Sequence, residues 1–175
     1  DPAYAASTIL LGKAMAARGV DLVYGGGRLG LMGIIADTVL VEGGRVHGVI
    51  PEMLRDLEVA HTGVTELHIV QNMHERKAKM TDLTDAFVAL PGGVGTMDEL
   101  FEAWSWNALG YHNKPFAILN IDGYWDSLIA FLDTMTEQGF VSVERRKHLI
   151  VSDNIADCLD RLAAACNSEA GSFTW

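Results

Sequence analysis

Cysteine, proline and positive charge are all scarce in this chain of 175 residues. Its two cysteines, Cys158 and Cys166, lie near the C-terminus with no C-x-x-C pair and no local histidine cluster, so the sequence predicts neither a disulfide framework nor a zinc site. Thirteen Lys and Arg against 23 Asp and Glu give a formal net charge of -10, which argues against nucleic acid or an anionic membrane as the main partner. The lack of a disulfide framework leads us to expect a reducing, cytoplasmic setting. No apolar run reaches the length of a membrane span, and no signal peptide is recognisable.

The length and an apolar fraction of 49% suit one globular domain over residues 1–175. Short β-branched runs alternate with segments of helical periodicity, which predicts a Rossmann-like α/β fold: a doubly wound parallel sheet with helices on both faces. Asp1 and Pro2 are typical of a helix N-cap and first helical position, so the chain opens on a helix, and we expect a first strand upstream of it. The predicted strands are Asp21–Tyr24, Val46–Ile50, Glu66–Val70, Ala86–Leu90 and Pro115–Ile121, and the predicted helices are Pro2–Arg18, Leu31–Val41, Met73–Leu83, Met97–Leu109, Trp125–Glu137, Val143–Leu149 and Ile155–Cys166.

The first of two glycine-rich segments, GGGRLG, lies between a predicted strand and a predicted helix. Gly25, Gly27 and Gly30 satisfy G-x-G-x-x-G, which in this context is typical of a nucleotide phosphate lying over the amides of a helix N-terminus. One alternative is a tight turn that needs glycine for its positive φ. Another is a dinucleotide site, because Glu52 follows the next strand near the position of the acidic residue that would bind a ribose.

The second segment, PGGVGTMDE, again follows a predicted strand and precedes a predicted helix. Gly92, Gly93 and Gly95 remove the Cβ atoms that would keep an anion from the backbone, and the dipole of the next helix favours negative charge there. It is not a P-loop, since no Lys-Ser or Lys-Thr follows. Thr96 and Glu99 also fit a capping box, in which Glu99 would only start the helix. An anion bound to the same amides would instead leave Glu99 facing it.

Arg76 falls within the apolar stripe of its predicted helix, because Met73, Arg76, Met80 and Leu83 recur at helical spacing. One interpretation is an arginine that snorkels, with its stem on apolar surface and its head in water. The other is a guanidinium that is presented, beside Lys77, to a phosphate or carboxylate at the carboxyl ends of the strands. The start of this helix and both glycine segments converge on that edge.

Other candidates carry less weight. Glu58 and His61 lie in an irregular segment and suit either a binding pair or solvated loop residues, and for His61 the solvated interpretation is favoured. Trp104, Trp106 and Tyr111 are interpreted as core or interface aromatics, while a stacking role against a purine stays open.

Several longer segments resemble the LOG family, the phosphoribohydrolases of cytokinin riboside monophosphates, whose members are often mislabelled as lysine decarboxylases. These segments are VYGGGRLGLMG, GVIPEML, MHERKAKM, FVALPGGVGTMDELFEAWSWNALGYHNKP and LNIDGYWDSL. The similarity runs from about residue 4 to residue 152, and the pairing of Met-x-x-Arg-Lys with P-G-G-x-G-T-x-x-E is specific to the family. The family's opening strand and its GSS turn are absent from this sequence.

The resemblance implies an enzyme that hydrolyses AMP-like nucleoside 5'-monophosphates to a free base and ribose 5-phosphate, with no metal or cofactor. It also implies a homodimer that completes its site across the interface, with no nucleic acid or membrane partner. Arg76 and Glu99 match the family's catalytic positions, with Glu99 expected to stabilise an oxocarbenium-like ribose. The substrate-binding positions are Glu58, Met73, Arg76, Lys77, Gly92, Gly93, Val94, Gly95, Thr96, Gly26 and Gly27.

Three other functions compete with this one. A non-catalytic nucleotide or cofactor carrier on the same fold is the main alternative, because a fold does not determine a function. The presence of both Arg76 and Glu99 favours the enzyme. An NAD-dependent oxidoreductase is the next alternative. Amino-acid decarboxylation is disfavoured, because it normally requires a pyridoxal Schiff-base lysine and neither glycine segment supplies one.

Overall fold

The computed structural model describes residues 2–57 and 59–167, and contacts within the chain divide it into two compact units, one ending at Thr84 and the other beginning at Asp85. Within the described residues, every helix falls short of the length or the hydropathy that a membrane span requires. The first unit contains α1 Pro2–Ala17, β1 Leu22–Tyr24, α2 Gly30–Val41, β2 Val46–Pro51, β3 Glu66–Val70 and α3 Met73–Leu83. The second contains β4 Phe87–Ala89, α4 Val94–Ala108, β5 Phe116–Leu119, α5 Asp126–Glu137, α6 Val143–His148, β6 Leu149–Ser152 and α7 Ile155–Asn167.

The first unit is built on a three-stranded parallel sheet in the order β1-β2-β3. Central strand β2 is apolar almost throughout and buried, as expected of a strand covered on both faces. Helices α1 and α2 pack closely, since a Cβ placed at Gly12 of α1 would lie 2.9 Å from the Thr38 Cβ of α2. The sheet therefore presents the carboxyl ends of β1, β2 and β3 at one edge, from which the loops to α2 and α3 depart.

The second unit repeats the plan with a parallel sheet in the order β4-β5-β6. All four residues of β5 are buried, and the core joins this strand to α4 and α5. Trp104 of α4 packs on Phe116 of β5 with ring centroids 5.8 Å apart, and Leu132 of α5 is fully buried. This core holds α4 against the sheet, with its N-terminus following the carboxyl end of β4.

The predicted α/β class with parallel sheets flanked by helices is confirmed, and all seven predicted helices exist. The last strand was not predicted: Leu149 does not end a helix but begins β6, which pairs with β5 from Phe116↔Leu149 to Leu119↔Ser152. The four residues LIVS are too few to show a period of 2 or of 3.6, so the pairing partner decides their conformation. The N-cap predicted at Asp1 lies outside the described residues.

Candidate functional site

Arg76 lies at the carboxyl edge of the first unit's sheet and is only 4% exposed. Its Nε donates to the Val49 carbonyl oxygen at 3.1 Å, and its Nη2 donates to the Gly25 carbonyl oxygen at 2.6 Å. A third nitrogen, Nη1, lies 3.8 Å from the Met73 sulfur. The guanidinium thus ties α3 to β2 and to the loop after β1. The snorkelling interpretation was wrong, because the charged head is bound to buried carbonyls instead of reaching water.

A capping interaction sets the direction of α3 and hence the inward position of Arg76. The Asn72 side-chain oxygen accepts the Glu75 amide proton at 2.9 Å, and the Glu75 carboxylate accepts the Gln71 amide proton at 2.9 Å. This reciprocal pair starts the helix at Met73, as the sequence predicted. Residues three apart share a helix face, so Met73 and Arg76 both turn toward the sheet.

Packing accounts for the glycines of the first segment. A Cβ at Gly25 would collide with the Arg76 guanidinium. Gly26 has φ +77°, and a Cβ there would lie 3.1 Å from the Ile50 Cβ. Gly27 forms an antiparallel bridge with Ala60. Close packing therefore explains Gly25, and a positive φ explains Gly26 and Gly30, the latter at φ +61°, although the amides of the segment still follow a strand and precede a helix.

His61 is buried at 4% exposure, so the solvated interpretation was wrong. The Gly63 amide donates to its Nδ1 at 3.2 Å, which leaves the proton on Nε2, and Nε2 donates to the Asp37 carboxylate at 2.9 Å. The His61 amide also donates to the Gly26 carbonyl oxygen at 2.9 Å. His61 therefore binds the segment that follows β2 to the glycine loop. The other candidate of that segment, Glu58, lies outside the described residues.

The remaining candidates are accounted for by local packing and pairing. Glu52, considered as a ribose ligand, lies in a short 3₁₀ turn and pairs with Arg55 at 3.1 Å. Trp104 is a core residue, as predicted. Trp106 is half-buried and tilts against Tyr111, whose side chain is largely exposed.

In the second unit, α4 begins three residues earlier than predicted, at Val94. Gly93 occupies the N-cap position with no side-chain cap, and the Met97 amide donates to the Gly93 carbonyl oxygen at 3.2 Å. The capping-box interpretation was therefore wrong. Thr96 is the third helical residue and Glu99 lies almost a full turn beyond it, too far along the helix to return to the N-cap amide. Glu99 is not needed to start α4.

The first turn of α4 is suited to hold an anion. The amides of Val94, Gly95 and Thr96 have no carbonyl partner within the helix, and the helix dipole favours negative charge there. A Cβ at Gly93 or Gly95 would meet no atom within 4 Å, and neither residue has a positive φ, so the fold itself does not require glycine at either position. Glu99 is exposed and shares a helix face with Gly95 and Thr96. The amides of Val94, Gly95 and Thr96 thus form a candidate anion-binding site beside the Glu99 carboxylate.

The sequence analysis missed Tyr124, which holds the loop that precedes the first turn of α4. The Tyr124 hydroxyl donates to the Gly92 carbonyl oxygen at 2.7 Å. The turn that carries Tyr124 is closed by the Asn120 side chain, whose oxygen accepts the Trp125 amide proton at 2.8 Å. Gly92 itself packs under Thr96, because a Cβ at Gly92 would collide with the Thr96 hydroxyl. The only signal for Tyr124 was its place in the LNIDGYWDSL segment, directly after a turn-forming Asp-Gly pair.

Replacing Gly92 by alanine is expected to destabilise the protein by about 1–3 kcal/mol, because the new methyl group displaces Thr96 and the first turn of α4. Gly95→Ala is the matched control, since its Cβ enters open space and its φ is not positive. It should stay within about 0.5 kcal/mol of the parent. Urea unfolding followed by tryptophan fluorescence measures both. Equal stability of the two variants would contradict the packing assigned to Gly92.

The fold and the glycine-rich loops at the carboxyl ends of its strands define a Rossmann-like α/β protein. The family model described as "Possible lysine decarboxylase" matches residues 32–162. The chain is 46% identical to the probable cytokinin riboside 5'-monophosphate phosphoribohydrolase LOGL1 of Oryza sativa subsp. japonica, over 89% of this chain and 70% of the rice protein. It is 48% identical to the cytokinin riboside 5'-monophosphate phosphoribohydrolase of Rhodococcoides fascians, over 83% of this chain and 74% of that protein. The chain belongs to this family, the LOG family.

Among solved structures, the chain is similar to the molybdenum cofactor binding protein from Rippkaea orientalis. The TM-score is 0.71 at 18% sequence identity, with 94% of this chain and 88% of that chain covered. At this level of identity the similarity shows a shared fold and nothing about the ligand.

Proposed function

We propose that this protein is a phosphoribohydrolase acting on AMP-like or cytokinin riboside 5'-monophosphates. The observation that carries the proposal is the first turn of α4, where amides without helical partners and two glycines not required by the fold lie beside the exposed carboxylate of Glu99. Relatives at 46% and 48% identity bear the name of that activity. A nucleoside 5'-monophosphate needs an anion-binding site for its phosphate and a carboxylate near its ribose, and both features lie at the start of α4.

In the proposed complex, the amides from Gly92 to Thr96, including those of Gly93, Val94 and Gly95, bind the 5'-phosphate. Such a site matches the phosphate-binding helix N-termini of other α/β proteins. Phosphate bound there carries negative charge that the helix dipole stabilises. The ribose then extends along the face of α4 that carries Glu99.

Glu99 stabilises the positive charge that develops on the ribose as the bond between C1' and the base nitrogen breaks. It also orients the attacking water and accepts its proton. The water oxygen bonds to C1', the base nitrogen gains a proton, and the products are the free base and ribose 5-phosphate. No metal or cofactor enters this sequence of steps.

The other substrate-binding assignments are proposals that rest on the family motif. They give Arg76 a catalytic role in holding the charged groups of the nucleotide, with Lys77 and Met73 beside it on α3. Gly26 and Gly27 are further substrate-binding residues, and Glu58 matches an acidic residue near the sugar. The two bonds from Arg76 to backbone carbonyls support a fixed guanidinium that needs little reorganisation on binding.

The proposal includes a homodimer that works in the cytoplasm. Large apolar side chains are exposed on the second unit, among them Leu109, Tyr111 and Phe140, which suits a face covered by a second copy. Cys158 and Cys166 are both free thiols, which suits a reducing compartment.

The test is a panel of AMP, an N6-prenylated AMP, GMP and CMP, with adenosine as the control that lacks the phosphate. We expect mass spectrometry to show equal amounts of free base and ribose 5-phosphate from at least one adenine nucleotide and no base from adenosine. The ratio of rates for prenylated and plain AMP gives the preferred substrate. Saturable binding of AMP without any base release would identify a carrier instead and reject the proposal.

A further inference from the structure

Three side chains with metal-binding atoms lie together near the amino ends of β2 and β3. His47 of β2 is the register partner of Glu66 on β3, and His68 shares the face of Glu66 because it lies two residues further along the strand. The His47 Nδ1 lies 3.6 Å, and the His68 Nε2 lies 3.5 Å, from the same carboxylate oxygen, Oε2 of Glu66. One ligand atom from each side chain lies within 4.8 Å of the other two.

The His47 Nδ1 and the His68 Nε2 are buried, and neither has a hydrogen-bond partner among the residues that the structure describes. On the other edge of the His47 ring, Nε2 lies 3.5 Å from Oδ2 of Asp21. When Nε2 donates to that carboxylate, Nδ1 presents a lone pair. That lone pair faces a carboxylate oxygen of Glu66, which is also an acceptor. Two acceptors turned toward one another call for a cation between them, here with the His47 ring largely buried and the Glu66 side chain 48% exposed.

We propose that His47, Glu66 and His68 bind a divalent transition-metal ion such as Zn²⁺. Two imidazoles and one carboxylate form a common set of three protein ligands for zinc. Tetrahedral ligands at about 2.0–2.1 Å from the ion are about 3.3 Å apart from one another. The separations of 3.5 and 3.6 Å fit that spacing better than they fit a hydrogen bond of about 2.9 Å.

The surrounding charges support the same site. The Asp21 carboxylate holds the His47 ring by its outer nitrogen, an arrangement that orients and strengthens histidine ligands of metals. Arg45 Nη2 lies 3.3 Å from Oε1 of Glu66, so the other oxygen of that carboxylate faces the two imidazoles. Three protein ligands leave the fourth position of a tetrahedral ion to water or to an external ligand.

The experiment uses the whole chain without a polyhistidine tag, stripped with a chelator and titrated with Co²⁺. We expect a visible absorption band that saturates at one equivalent and is displaced by Zn²⁺. His68→Gln and Glu66→Gln should abolish the band, and Asp21→Asn should weaken binding by about 10- to 100-fold because it removes only the outer carboxylate. His148→Gln is the matched control, since it removes an exposed histidine of α6 and should bind Co²⁺ like the parent.

Thermal unfolding provides a second readout that does not depend on colour. Zn²⁺ should raise the melting temperature of the parent and of His148→Gln but not that of His68→Gln, because an ion that binds only the folded state stabilises it. Circular dichroism before titration establishes that each variant is folded. Unchanged Co²⁺ affinity in His68→Gln, or no saturable binding of either metal by the parent, overturns the proposal. Hydrolysis of AMP is measured separately, so the two proposals fail independently.

Discussion

Glu99→Gln is expected to lower kcat/KM for AMP about a thousandfold, or about 4 kcal/mol in the activation barrier. The amide has nearly the shape of the carboxylate but lacks the charge that stabilises an oxocarbenium-like ribose and the basicity that activates water. Folding should be unchanged, because α4 starts at Val94 on Gly93 and does not use Glu99 as a cap. The amides proposed to bind the phosphate, from Gly92 to Thr96, are unchanged, so KM should change much less than kcat.

Steady-state release of ribose 5-phosphate measures this loss. Asp98→Asn is the matched control, since it removes the same charge from the neighbouring exposed residue of α4 and should keep most of the activity. A Glu99→Gln variant that hydrolyses AMP within about tenfold of the parent rate would remove Glu99 from the mechanism.

Arg76→Met is expected to lower the free energy of unfolding by about 3 kcal/mol, in addition to reducing hydrolysis. The methionine fills much of the volume but leaves the carbonyl oxygens of Gly25 and Val49 buried without donors, at about 1–3 kcal/mol each. Arg76→Lys should recover only part of this stability, because one ammonium does not reproduce the planar fork that reaches both carbonyls.

Urea unfolding should be followed by circular dichroism, because the tryptophans of the described residues, Trp104, Trp106 and Trp125, all lie in the second unit. Arg161→Met is the control, since Arg161 also bonds to a backbone carbonyl but lies exposed on α7, and it should cost about 1 kcal/mol or less. Unfolding curves that coincide for Arg76→Met and the parent would contradict the assignment of Arg76 as a link between strand ends.

Local signals predicted the helices well and the ends of elements less well. α3 was predicted at its observed limits, because the apolar stripe of Met73, Arg76, Met80 and Leu83 runs along the whole helix. α4 was predicted three residues late, because Thr96 and Glu99 fit a capping box while Gly93 offers no side chain to mark the true start. β6 was missed because its conformation depends on pairing with β5.

The candidate site shows the same division. The sequence predicted that Arg76 faces inward and that glycines surround the start of α4. It did not show that Arg76 binds two carbonyls, that His61 is buried against Asp37, or that Tyr124 holds Gly92. Each of these contacts joins residues well separated along the chain, and no local pattern encodes which carbonyl a distant side chain will reach.

Periodicity, glycine placement and capping residues act over a few positions, so the order of strands and helices and the location of the glycine loops follow from the chain alone. The family motif, also a matter of residue order, indicated the proposed chemistry. Folding decided which glycines serve packing and which leave room for a ligand, because a Cβ clashes or does not according to neighbours supplied by other elements. The grouping of His47, Glu66 and His68 likewise exists only once β2 and β3 pair in register.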